Sequence, residues 1–93
     1  MQAENSVAKY SVEFKPSALK EFQRLPATLI ERIFPKIEGL ATEPRPSGCK
    51  KLKGGQQEWR VRVGDYRVVY TIDDAKLRVS VTRVRHRSEV YEG

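Results

Sequence analysis

The chain has 93 residues, enough for one domain with a single modest core. An apolar fraction of 39% with 32% charged residues fits a folded chain and not a disordered one, and no apolar run reaches the roughly 18–20 residues that a membrane helix needs. The net charge is +6, with +1 on residues 1–49 and +5 on residues 50–93, an imbalance that points to a polyanion or an acidic protein partner. One Cys and one His provide neither an internal disulfide nor a zinc site, and no signal peptide is visible, so a cytoplasmic setting is expected, without membrane association, metal or cofactor.

Taken in order, residues 1–8 read as a frayed leader. Tyr10, Val12 and Phe14 alternate with polar neighbours, as in a strand with one buried face. Pro16 then opens a short amphipathic helix over 16–25, with Ala18, Leu19, Phe22 and Leu25 at helical spacing. The Leu25-Pro26 step ends it, because a residue before proline is pushed out of helical angles. A second apolar stripe, Leu29, Ile30, Ile33, Phe34, Ile37 and Leu40, predicts a helix over 27–41, with a kink or break at Pro35. The two helices form a hairpin whose stripes should lie on a sheet. Residues 41–48 read as a loop, and Cys49 to Gly55 as a basic, glycine-ended segment in which a solvated loop outweighs a phosphate-binding one.

Three strands follow, at 58–63, 66–72 and 77–84. In the first, Trp59, Val61 and Val63 point one way and Arg60 and Arg62 the other, since side chains alternate across a strand. Gly64-Asp65 makes a tight connection to the second strand, which is apolar at both parities around Arg67. In the third, Leu77, Val79 and Val81 share a parity that Val84 does not, so a bulge or strand end is expected near Arg83. If the apolar faces cover the core, a row of guanidinium groups is left on the opposite face, and planar donor forks of this kind suit phosphate.

The order strand, two helices, loop and three-strand meander resembles the RelE/ParE superfamily of bacterial toxin–antitoxin toxins. The likeness is carried by Lys51-Leu52-Lys53-Gly54, by Trp59-Arg60-Val61-Arg62-Val63 leading through Gly64-Asp65 to Tyr66-Arg67-Val68-Val69-Tyr70, and by Val84-Arg85-His86-Arg87-Ser88-Glu89-Val90-Tyr91. The Ala-Leu-Lys-Glu-Phe stretch at 18–22 adds to it, and the match spans about residues 9–91. The resemblance implies an α+β fold, with an N-terminal strand, a helical hairpin and a three-stranded antiparallel meander forming a curved sheet packed on the helices.

The resemblance also implies an activity, a metal-independent ribonuclease that cuts messenger RNA in the ribosomal A site. Arg60 and Arg62 stand where RelE has lysines. Arg67 and Arg85 match two arginines held at the scissile phosphate, and Tyr91 matches a tyrosine that packs on or activates the target nucleotide. His86 departs from the namesake, which has an acidic residue there, although several relatives use a histidine close by. Lys50, Lys51, Lys53, Arg83 and Arg87 are the expected contacts to RNA or ribosome, and a RelB-like antitoxin with an acidic segment is the expected partner.

Attack of a 2′-hydroxyl on the adjacent phosphate needs a base, cations for the developing charge and an acid for the leaving oxygen. The four arginines suit the second task. His86 is the natural proton carrier near neutral pH, and Tyr91 can stack on a base. The chain ends two residues past Tyr91, where fraying is expected. Two alternatives stay open: a ParE-like DNA gyrase inhibitor on the same fold, and a basic nucleic-acid-binding module without catalysis.

Overall fold

The period-2 and period-3.6 stretches form the elements they predict. A computed structural model describes residues 9–52 and 58–89. The elements are β1 (Ser11–Phe14), α1 (Pro16–Gln23), α2 (Ala27–Gly39), β2 (Lys50–Lys51), β3 (Glu58–Val63), β4 (Tyr66–Asp73) and β5 (Arg78–His86), followed by a 3₁₀ turn, Arg87–Glu89. The expected leader, Lys53 with the glycines after it, and Tyr91 lie outside the described residues.

Five strands make one open, mixed sheet in the order β1-β5-β4-β3-β2. β1 runs parallel to β5, and every other pairing is antiparallel. The meander is the predicted one, but the sheet is wider than expected. Lys50–Lys51, read above as loop, pairs with Trp59 and Arg60, and the Leu52 amide donates to the Glu58 carbonyl at 2.9 Å. A two-residue strand of lysines has no apolar alternation to announce it. Its pairing comes from the neighbouring edge of β3.

Pro16 occupies the first turn of α1, where its missing N–H costs nothing. α2 continues through Pro35 to Gly39, so the expected break does not occur. Pro35 is exposed, whereas Ile33 and Ile37 on either side of it are buried to 0% and 1% exposure. Each buried isoleucine contributes about 1.5–3 kcal/mol, comparable to or larger than the roughly 3 kcal/mol cost of an interior proline when the two are summed. The Glu31 carbonyl that loses its bond belongs to an exposed residue, where water can serve it.

Both helices pack on one face of the sheet, α1 chiefly against β5. Ala18, Phe22, Ile33, Ile37 and Leu40 meet Val61, Val68, Tyr70, Ile72, Val79, Val81 and Val84 there. Tyr70 is fully buried, and its hydroxyl donates to the Pro44 carbonyl at 2.8 Å, which pins the 41–49 loop to the sheet. Burial and the nearby Cys49 thiol raise the Tyr70 pKa.

Two irregularities set the geometry of the other face. The register of β4 and β5 shifts between Val69 and Tyr70, leaving Thr82 as the extra residue, and its hydroxyl donates to the Val69 carbonyl at 3.1 Å. This is the bulge expected near Arg83, and it returns Val84 to the core. At the β3–β4 turn Gly64 has φ +60°, the left-handed value that a two-residue hairpin requires of its first central residue.

Candidate nucleic-acid interface

With the helices on one face, cross-strand register decides what stands on the other. Residues directly opposite one another share a face. Arg67 pairs with Arg62 on one side and Arg85 on the other, so three arginines form one row across β3, β4 and β5. In the next row Val69 lies between Arg60 and Arg83, and Lys50 pairs with Arg60 at the end. Val69 is 3% exposed yet stands apart from the helix-side core. Like charges placed directly opposite destabilise a sheet, and this face places several.

Arg67 sits at the centre of the crowding. Partial burial first, then the guanidiniums of Arg62, Arg60 and Arg87, lower its pKa, with Asp65 opposing. It stays charged at any physiological pH. Among the described residues its one hydrogen bond is a long contact, 3.5 Å to the Tyr66 carbonyl. Arg62 Nε donates to the Gly64 carbonyl at 3.1 Å, so the turn that ends β3 also aims this side chain. Arg85 Nε donates to Glu21 of α1 at 2.7 Å. Arg87 begins the 3₁₀ turn; its amide donates to the Asp65 carbonyl at 2.7 Å, and its Nε lies 4.0 Å from the Asp65 carboxylate.

The structure does not bring His86 to this row. His86 pairs with Tyr66 on the helix side of the sheet, and the two rings meet edge to face at 5.4 Å between centroids. The Ser88 amide donates to His86 Nδ1 at 3.2 Å, so in the neutral ring the proton sits on Nε2. Lys51 also faces the helix side, 6.0 Å above the Trp59 ring, with Arg45 over the same ring at 5.2 Å. Trp59 packs against the core. Of the expected contacts, Lys50, Arg83 and Arg87 adjoin the arginine row, whereas Lys53 and Tyr91 lie outside the described residues. Among the described residues there is no group of three metal-ligating side chains.

A five-stranded mixed sheet bearing two helices on one face is a fold shared with known proteins. The family whose sequence model matches is the ParE toxin of the type II toxin–antitoxin system parDE, over residues 12–91. The chain belongs to that toxin family. Its relatives include RelE toxins. The mRNA interferase toxin RelE of Escherichia coli K12 is 35% identical over 86 residues, covering 88% of this chain and 90% of that one. The isolated E. coli RelE toxin superposes with a TM-score of 0.75 at 30% identity, covering 89% of this chain and 88% of that one. The toxin in the archaeal RelE–RelB complex from Pyrococcus horikoshii OT3 gives a TM-score of 0.76 at 26% identity, covering 88% and 99% of the two chains.

In this RelE-like toxin, one residue at the arginine row has no counterpart in the reading of the sequence. Glu21 lies in α1, far from the meander in sequence, yet its carboxylate touches both Val84 and Arg85. A signal for it exists. Glu21 is three residues after Ala18 and beside Phe22, both buried, so it flanks the apolar stripe instead of facing water. No helix among the described residues is long and apolar enough to cross a membrane.

Proposed function

We propose that the toxin is a ribosome-dependent endoribonuclease that cuts messenger RNA in the A site by attack of a 2′-hydroxyl on the adjacent phosphate, in the cytoplasm, and that a RelB-like antitoxin with an acidic segment holds it inactive. The observation that carries this reading is the Arg62–Arg67–Arg85 row, three guanidiniums on adjacent strands of a rigid sheet. A phosphate passing to a five-coordinate state gains negative charge. Preorganised cations stabilise that state more than the ground state, which is what accelerates the step. Arg60, Arg83 and Lys50 in the next row extend the positive surface along the RNA backbone. Lys51, Lys53 and Arg87 complete the contacts to RNA and ribosome in this reading. The relatives named mRNA interferases support it, and the neighbouring RelE–RelB complex supports the antitoxin.

Proton transfer falls to His86 or Tyr91 in the same reading. With its ring on the helix side, His86 acts only if the strand end turns it toward the row, which leaves Tyr91 as the stronger candidate. The experiment is a reconstituted translation system with ribosomes stalled at a defined A-site codon and mRNA ends mapped by primer extension. Wild-type protein gives cuts at that codon, and Arg67→Ala and Arg85→Ala do not. Intact mRNA with wild-type protein refutes the nuclease. The second reading, gyrase inhibition, is favoured by the ParE description of the matching family; DNA damage signalling on expression, with mRNA intact, identifies it. Salt-dependent RNA binding without cleavage or DNA damage identifies a non-catalytic module.

A further inference from the structure

β1 pairs with only the first part of β5, from Arg78 to Val81. Beyond that point, among the described residues, the outer edge of β5 has no strand beside it, and an uncovered edge presents unpaired amides. α1 fills the gap with one side chain. Glu21 Oε1 accepts the Val84 amide at 2.9 Å, and Glu21 Oε2 accepts Arg85 Nε at 2.7 Å. The carboxylate is therefore fixed at both oxygens, one on backbone and one on a guanidinium. Its side chain is 22% exposed and that of Arg85 36% exposed, so water competes only partly for the pair. Arg85, Val84, Tyr66, Arg24 and Leu25 line a cleft of about 410 Å³ with Glu21.

We propose that Glu21 is the positioning residue for Arg85 in the cleavage reaction, a role that rests on the nuclease reading above. Engagement through Nε orients the guanidinium and leaves its Nη1/Nη2 edge unused by Glu21. That edge presents two parallel donors, which is the geometry an oxyanion of phosphate accepts. A long side chain that would otherwise sample several rotamers, opposite Arg67 in its row, is thereby held in one place before substrate arrives. Glu21 itself touches no reacting atom. Its oxygens are occupied by the Val84 amide and Arg85.

The test is a double-mutant cycle of Glu21→Gln and Arg85→Ala in the stalled-ribosome cleavage assay, under single-turnover conditions. Glutamine keeps an acceptor for the Val84 amide but loses the charge on Arg85. Glu21→Gln is expected to slow cleavage about tenfold, with the toxin concentration for half-saturation unchanged, because misplacement of a positioned group affects the chemical step. In the Arg85→Ala background Glu21→Gln is expected to have no further effect. Nuclear magnetic resonance of the free toxin gives a readout independent of RNA: the Arg85 Nε proton exchanges slowly with water in the wild type and fast in Glu21→Gln. A wild-type or faster rate in Glu21→Gln overturns the proposal, as does an additive loss in the double variant or an unchanged Nε proton. If Arg85→Ala cleaves normally while the Nε proton behaves as expected, the nuclease role of Arg85 has failed and the contact is structural only.

Discussion

Replacing Arg67 by glutamine should make the free toxin more stable while removing its action on RNA. Arg67 stands directly opposite Arg62 and Arg85, and the guanidiniums of Arg62, Arg60 and Arg87 act against its own charge, with Asp65 opposing them, so the folded state holds like-charge neighbours that the unfolded chain separates. Two like charges about 6 Å apart repel by about 0.7 kcal/mol at a water-like dielectric. Three arginines less one aspartate leave a net of two such repulsions, about 1.4 kcal/mol, and the shorter glutamine stem returns about 0.5 kcal/mol through lost packing. The net gain is about 1 kcal/mol, which raises the Tm of a domain this size by roughly 4–8 °C. Urea unfolding at about 10 mM and about 1 M salt measures it, since the Debye length falls from about 30 Å to about 3 Å between them. The gain should be present at low salt and mostly absent at high salt, with no cleavage at either. Loss of stability that is the same at both salt concentrations would refute the reasoning, because it would mean that Arg67 is held by packing or by a partner charge and that the row carries no net repulsion.

Three further outcomes follow from other parts of the molecule. His86→Gln should reduce A-site cleavage far less than Arg85→Ala, because the ring lies with Tyr66 on the helix side; a loss equal to that of Arg85→Ala would show that the strand end rearranges on the ribosome. Gly64→Ala should lower the urea midpoint by an amount equivalent to about 1–2 kcal/mol, since φ there is +60° and the new Cβ would also stand 3.3 Å from Arg32 Nη2. The third concerns acid. Hydrogen bonds from Arg45 and then Tyr10 hold the Asp74 carboxyl below its ordinary value of 3.8. A carboxylate with a depressed folded pKa adds stability that is fully present above its unfolded pKa and is lost as pH falls through the folded one. Stability should therefore decline as pH drops below about 4, and Arg45→Ala should make that decline shallower in a pH series of unfolding midpoints.

The periodicities were legible because they are local. A strand or helix with one buried face must repeat its apolar residues at two or 3.6 positions, as the stretches that became β1, α1, α2, β3 and β5 do, while β4 is apolar at both parities because it lies at the centre of the sheet. The slip of parity between Val81 and Val84 was visible for the same reason, and it marked the bulge at Thr82. β2 was not visible, since two lysines carry no pattern and pair only because an edge of β3 lies beside them. The helix over 27–41 was legible too, but that it runs through Pro35 without a break was not, because local propensity opposes it and only the burial of Ile33 and Ile37 against the sheet, a tertiary effect, overrides it.

The sequence by itself determined that one face of the meander would be arginine-rich, because Arg60 and Arg62 alternate with Trp59, Val61 and Val63 and cannot share their side. Only the tertiary structure decided which charges meet. Strand register puts Arg62, Arg67 and Arg85 in one row and turns His86 to the other face, although it is adjacent to Arg85 in the chain. Helix packing brings Glu21 to Arg85 across 64 positions of sequence. Alternation along a strand is a property of neighbouring residues and can be counted. Register and docking depend on where separate segments settle against one another, which no local pattern records.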